Sequence, residues 1–238
     1  MNVVLGSAFR NATGYATRYF MQVAALRDEL DRWGHPLRLA LAEGDSQDNT
    51  LAVLDSLLAY HQLEGEVADC THGGPLTNHV ASPVRMAELA RVGNAILGQL
   101  TDADDVLLYV ESDLLWDVSA MLTLLGHVAA GRADIAVPLV LRAGTNTFYD
   151  IWAYRAAGKA FGLHWPYSPV LRGWHPGALV TIETAGSCLA VNQAALRAAR
   201  RIGFPAWDVW PGLCRALRGE GFRLLLDPAV RVEHPMLL

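Results

Sequence analysis

The chain has 238 residues, of which 52% are hydrophobic and 18% charged, with a formal net charge of −5. That length and apolar content can bury a sizeable core, and they exclude a disordered, solvating chain. The acidic balance, with no long basic run, argues against a dedicated nucleic-acid binder. The cysteines Cys70, Cys188 and Cys214 lie far apart and form no C-x-x-C. They predict reduced thiols and a cytoplasmic location, not a disulfide framework or a zinc site. No 18-residue apolar stretch occurs, so no membrane span is expected, and the start MNVVLGSAFRNATG lacks the long apolar core of a signal peptide.

Residues Asn2 to Ala8 read as a first buried strand, and Tyr15 to Trp33 as a helix with Phe20, Val23, Leu26 and Leu30 at helical spacing. Gly34-His35-Pro36 ends that helix. Arg10 and Arg18 flank the strand-to-helix turn and are read as solvated. Leu37 to Ala42 is a second strand, followed by the acidic stretch Glu43-Gly44-Asp45-Ser46-Gln47-Asp48-Asn49-Thr50. Asp48 or Asn49 suits the N-cap of a helix from Thr50 to His61. Glu43 sits at a strand's carboxyl end, where ligands of open α/β sheets bind. Glu66 to Cys70 is a third strand, running into Thr71-His72-Gly73-Gly74-Pro75, and a helix spans about Pro83 to Leu100 with Arg85, Arg91 and Asn94 at polar positions.

Val106 to Val110 is a continuous apolar run, the mark of a strand buried on both faces. It stops at Glu111-Ser112-Asp113. Alternation points Glu111 and Asp113 the same way, with Ser112 opposite. Two acids at a strand's carboxyl end can hold a hard divalent cation, and the cation can hold a diphosphate. A helix at about Val118 to Ala130 and a strand from Asp134 to Leu141 follow.

From Arg142 to Gly177 aromatic residues mix with Gly and Pro, among them Phe148, Tyr149, Trp152, Tyr154, Phe161, Trp165, Tyr167 and Trp174. Irregular structure shaping a pocket and a second small core are both open readings. Phe148 to Arg155 reads as a strand carrying Asp150. Ala178 to Glu183 and Cys188 to Val191 are short strands, Gln193 to Arg201 and Leu213 to Gly219 helices, and Phe222 to Leu226 a last strand. The repeated strand-helix order indicates an α/β fold with a mostly parallel central sheet flanked by helices. Neither a dinucleotide fingerprint nor a P-loop occurs.

Taken together, these segments resemble a GT-A glycosyltransferase and are similar to its family-2-like enzymes. Glu43 to Thr50 resembles the family's DDGSxDxT segment, with Asp45 where the family has Gly. Glu111-Ser112-Asp113 resembles its DxD motif. Asp208 falls near the acid of its "ED" position, and Val230-Arg231-Val232-Glu233-His234 resembles its closing "a.v.H", whose histidine can be a metal ligand. Phe148 to Arg155 and Met86 to Leu100 look more like capsule- and mannan-type mannosyltransferase relatives, with Asn94 matching and the arginine displaced to Arg91. The resemblance implies one GT-A domain over residues 1–238, with a nucleotide-binding half (1–113) and an acceptor-binding, catalytic half (114–238). It implies Glu43, Asp45, Arg85, Arg91, Asn94, Glu111 and Ser112 around the nucleotide, and Asp113 with His234 on Mn²⁺ or Mg²⁺.

The implied reaction moves a sugar from a UDP- or GDP-sugar to an acceptor hydroxyl on a glycan, lipid, protein or modified nucleobase. An inverting enzyme needs a base on that hydroxyl. Asp208 is the first choice, set among Trp207, Val209 and Trp210, with Asp150 and Glu183 in reserve. A retaining mechanism like that of the mannosyltransferase relatives needs no such base. The rivals are a nucleotidyltransferase acting on a sugar phosphate and a non-catalytic nucleotide-sugar-binding module.

Overall fold

The computed structural model describes residues 1–74, 82–156, 158–161 and 177–235. Its frame is an eight-stranded sheet. In chain order the first strands are β1 (Val3–Phe9), β2 (Leu37–Glu43), β3 (Gly65–Asp69), β4 (Val106–Val110) and β5 (Ile135–Arg142). The short pieces β6 (Arg155–Ala156), β7 (Lys159–Ala160) and β8 (Val180–Thr181) follow, then β9 (Cys188–Asn192) and β10 (Leu224–His234). The sheet order is β3-β2-β1-β4-β9-β5-β10-β8, with β6 and β7 forming a separate hairpin. β3, β2, β1 and β4 are parallel neighbours, as are β5 and β10. β9 runs against both β4 and β5, and β8 against β10. The expected α/β, mostly parallel GT-A-type sheet is present.

The helices are α1 (Ala16–Arg32), α2 (Thr50–Tyr60), α3 (Pro83–Gly98), α4 (Val118–Ala129), α5 (Gln193–Ile202) and α6 (Val209–Gly219). α1 packs with α2 and α4, and α3 with α5 and α6, which makes two helical layers about the sheet. All of β4 is buried, as its unbroken apolar run requires. The one polar side chain deep in β1, Ser7, is satisfied. Its hydroxyl donates to Val110 O at 2.6 Å and accepts from Tyr19 Oη at 2.7 Å. α3 opens on Pro83, whose missing N–H costs nothing in a first turn. Asn192 caps α5 by accepting from Ala195 N at 2.9 Å.

Several boundaries differ from the sequence reading. Phe148 to Arg155 is mostly turn, and only Arg155 and Ala156 join a strand. Trp165, Tyr167 and Trp174 lie outside the described residues. Phe148, Tyr154 and Phe161 pack with ring centroids 5.1 to 5.6 Å apart and belong to the main hydrophobic core, not to a separate one. α6 starts at Val209, four residues before the expected Leu213. The last strand does not stop at Leu226 but continues to His234, with its register shifting between Asp227 and Arg231. Asp227 pairs with Pro138 and Arg231 with Leu139. Pro138 has no N–H to give the ladder, so the bulge falls where the ladder is already broken. Beyond the bulge the strand resumes and delivers His234 to the carboxyl edge of the sheet.

Candidate active site

The strand order reverses between β1 and β4, because β2 and β3 lie on one side of β1 and β4 on the other. Such a switch opens a crevice at the carboxyl ends of the strands. Glu111, Ser112 and Asp113 leave β4 there. Glu111 N donates to Ser187 O at 2.8 Å, which ties the turn to the start of β9. Ser112 turns away from the two acids and is buried, its hydroxyl donating to Ala8 O at 2.7 Å and lying 3.2 Å from Tyr15 Oη. Arg18 Nη2 donates to the Asp113 carbonyl at 2.8 Å. The arginine read as solvated thus pins the acidic loop.

Asp113 Oδ2 and His234 Nε2 are 3.0 Å apart. The His234 ring stacks on Tyr149, with centroids 3.8 Å apart and planes 11° from parallel. Its Nδ1 is buried and has no hydrogen-bond partner among the described residues. Burial pulls the imidazole pKa down, but the bond to Asp113 overrides it and the net shift is upward. Burial, and then the charges of Asp113 and Asp150, push Glu111 up to about 8. Burial likewise lifts Asp150 to about 6, although its carboxylate accepts from Ser187 Oγ at 2.9 Å and Ala153 N at 3.3 Å. Three acids therefore crowd one desolvated corner. A cavity of about 70 Å³ opens beside them, lined by Glu111, Asp150, Ser187, Trp152, Phe204 and Trp210.

A second polar cluster lies at the ends of β2 and β3. Buried Glu43 accepts from Ser46 N at 2.8 Å. Asp45, at φ +56°, accepts from His72 N at 2.9 Å and Gly73 N at 2.7 Å, and these N–H groups hold its carboxyl below the usual range. His72 lies between two acids, 2.7 Å from Asp45 Oδ2 and 3.0 Å from Glu88 Oε1. The Arg91 guanidinium reaches Cys70 O and His72 Nδ1. Ligand atoms of Asp45, His72 and Glu88 lie within 4.8 Å of one another, but that guanidinium already supplies the positive charge.

No protein family matches the sequence, and no curated protein does. Solved structures do. The fold is similar to that of S. aureus TarS. The TarS 1-349 structure in complex with UDP-GlcNAc matches at TM-score 0.57 and 14% identity over 100% of this chain. TarS 1-349 alone matches at 0.60 and 13% over 99%, and its complex with UDP at 0.57 and 13% over 99%. The chain spans 59%, 60% and 61% of those three chains respectively.

The Asp113–His234 spacing bears on a cation. Two donors at about 2.1 Å on adjacent octahedral positions stand about 3.0 Å apart, the distance observed here. Crowded carboxyls with raised pKa values also suit a positive ion. A carboxylate with an imidazole is a mixed donor pair, which suits Mn²⁺ at least as well as Mg²⁺.

The other expected site residues fall into three groups. Asp208 stands just before α6 and pairs with Arg215, whose guanidinium lies 5.7 Å over the Trp207 ring. The next residue, Val209, lines the cavity and holds φ +33°, a costly conformation for a β-branched side chain. Arg85, on the first turn of α3, is half-buried and bears electrostatically on Tyr149. Asn94 and Glu183 are taken up by backbone. Asn94 accepts from Phe204 N at 2.7 Å and donates to Phe204 O at 3.2 Å, while Glu183 accepts from Gly158 N at 2.9 Å beside the β6–β7 hairpin. Ser187 joins the site without having been singled out, Arg18 was read as solvated, and Tyr149 and Trp152 were read only as members of the aromatic-rich segment around Asp150.

No helix among the described residues is long and apolar enough to cross a membrane. The three cysteines are unpaired and buried.

Proposed function

We propose that the chain is a metal-dependent glycosyltransferase that moves a sugar from a UDP- or GDP-sugar to an acceptor hydroxyl. The observation that carries this reading is the Asp113–His234 pair at 3.0 Å, beside Glu111, at the strand-order switch. The likeness to structures solved with UDP and UDP-GlcNAc supports a nucleotide-sugar donor. Residues 1–113 bind the nucleotide, with Glu43 and Asp45 at its base and ribose, and residues 114–238 supply the acceptor side. Unpaired cysteines fit a cytoplasmic setting.

Asp113 and His234 would hold Mn²⁺ or Mg²⁺, which would supply positive charge against the leaving diphosphate. Tyr149 fixes the His234 ring by stacking, and Arg18 fixes the Asp113 backbone. In an inverting transfer Asp208 takes the proton of the acceptor hydroxyl. The oxygen then bonds to the anomeric carbon as the bond to diphosphate breaks. Arg215 orients the Asp208 carboxylate. One observation favours a second choice of base: Asp150 lines the cavity directly, beside Glu111, and makes no ion pair among the described residues.

The test is a thermal-shift panel of UDP, GDP, CDP, ADP and CMP, each with and without Mn²⁺. A nucleotide at about 100 times its dissociation constant adds about 2.7 kcal/mol. The reading expects one nucleotide to stabilise with Mn²⁺ only, and not in Asp113→Asn. If no nucleotide gives a metal-dependent shift, the reading fails.

A further inference from the structure

A buried polar pair lies away from the acids, between α4 and β10. His127, in the last turn of α4, and Asp227, where the β10 bulge begins, are 3% and 5% exposed. His127 Nε2 stands 2.7 Å from Asp227 Oδ2. An ionised carboxylate only accepts, so the imidazole hydrogen sits on Nε2. His127 Nδ1 is buried with no hydrogen-bond partner among the described residues, so Asp227 is the ring's polar anchor there. The other carboxylate oxygen, Oδ1, accepts from Ala229 N at 2.9 Å. One side chain thus grips both the end of a helix and the backbone of the bulge. Stability alone is a weak reason to bury such a pair, since apolar residues of similar volume often serve as well.

The bulge decides where His234 points. Asp227 pairs with Pro138 and Arg231 with the next residue, Leu139, so residues 228–230 have no partner on β5. Side chains alternate along a strand, and a slip of one residue turns every later side chain to the other face. Val230, Val232 and His234 are buried, whereas Ala229 and Arg231 are exposed. One residue more or fewer in the bulge would therefore swing His234 away from Asp113, 3.0 Å from it, and off the Tyr149 ring. α4 completes the circuit. Before its first turn, Leu115 and Glu233 exchange two backbone hydrogen bonds, at 2.7 and 2.8 Å. At its far end His127 holds Asp227. The helix is a strut fastened to β10 at both ends of the bulged stretch.

We infer that the His127–Asp227 pair is a positioning device. It fixes the length of the bulge, and through the bulge it sets the His234 ring against Asp113 and Tyr149. Neither residue lines the cavity beside the acids. That the placed imidazole serves a cation rests on the transferase reading; its placement does not.

The experiment compares the wild type with His127→Leu/Asp227→Leu, His127→Leu and His127→Gln. The glutamine amide keeps an N–H for Asp227. Proton NMR of the metal-free whole chain follows the carbon-bound ring protons of His234, identified by their loss in His234→Gln. Stacked 3.8 Å from Tyr149, they are shielded and resonate upfield of a free histidine. His127→Gln should keep that upfield position, and both leucine variants should lose it. Mn²⁺ affinity, read by electron paramagnetic resonance, should fall about 10–100-fold in the leucine variants and stay near the wild type in His127→Gln. A role in stability alone would lower Tm and leave the His234 signals in place, and that result in either leucine variant would overturn the inference. The single variant keeps the Asp227–Ala229 bond and decides the matter if the double variant does not fold. A folded His127→Gln whose His234 signals move as far as those of the leucine variants would also overturn it, because the retained bond would not be what places the ring. A wild type that shows the upfield signals but binds no Mn²⁺ would keep the positioning device and sink the metal reading.

Discussion

Replacing Asp150 with asparagine should make the metal-free protein more stable while damaging its chemistry. Asp150 is buried, and its carboxyl titrates near 6 instead of the ordinary 3.8. A carboxyl with a raised pKa binds its proton more tightly when folded. Its ionised form therefore costs stability above that pKa, and the cost disappears as pH falls through the window from about 6 to about 4. Two pKa units correspond to about 3 kcal/mol at pH 8. An asparagine side chain would keep the shape and would hydrogen-bond Ser187, whose hydroxyl can rotate to accept, at a loss of about 1 kcal/mol. The net gain is about 2 kcal/mol, or about 4–8 °C in Tm for a chain of this length. Thermal unfolding in EDTA, wild type against Asp150→Asn, at pH 8 and pH 4, checks it. The variant should lead at pH 8, and by pH 4, where ionisation costs the wild type less than about 1 kcal/mol, the lost hydrogen bond should cancel or reverse that lead. A variant less stable at pH 8, or a lead that does not change with pH, would refute the burial argument.

Asp113→Asn should keep the wild-type circular dichroism spectrum and lose transfer, together with the Mn²⁺-dependent thermal shift; full activity would remove the cation from the site. Asp208→Asn should lower kcat more than donor affinity, while Glu183→Gln, whose carboxylate serves Gly158, should leave kcat within a factor of about two. An equal loss of donor affinity in Asp208→Asn would give that residue a structural role. Gly93→Ala should cost about 1–3 kcal/mol in a urea midpoint, because a Cβ there would stand 2.7 Å from the Phe204 ring. That ring is backed edge-on by Trp210 at 4.6 Å, so it has little room to give.

Much of the frame could be read before folding. The buried run of β4 and the strand-helix repeat follow from local pattern, whereas Glu111-Ser112-Asp113, read as a strand end, lies in the turn after β4. What could not be read depends on partners distant in sequence. An apolar run such as Cys188 to Val191 carries no sign of its direction, so the antiparallel placement of β9 was invisible. The last strand was read to stop at Leu226, because nothing nearby reveals that Asp227 pairs with Pro138 and that a bulge there is harmless. Without that continuation, His234 could not be placed on Tyr149. Asn94 and Glu183 were chosen for their chemistry, yet Phe204 and Gly158, 110 and 25 residues away, give them backbone partners.

The reversed direction of β9 also makes part of the chain exchangeable. β5 ends and β9 begins toward the same edge of the sheet as neighbours, so residues 143–187 leave the frame and return to it on one side. A chimera that exchanged this segment would keep β1, β2 and β4 but would have to restore the Tyr149 stack on His234, the buried Asp150 and the pairing of β8 with β10.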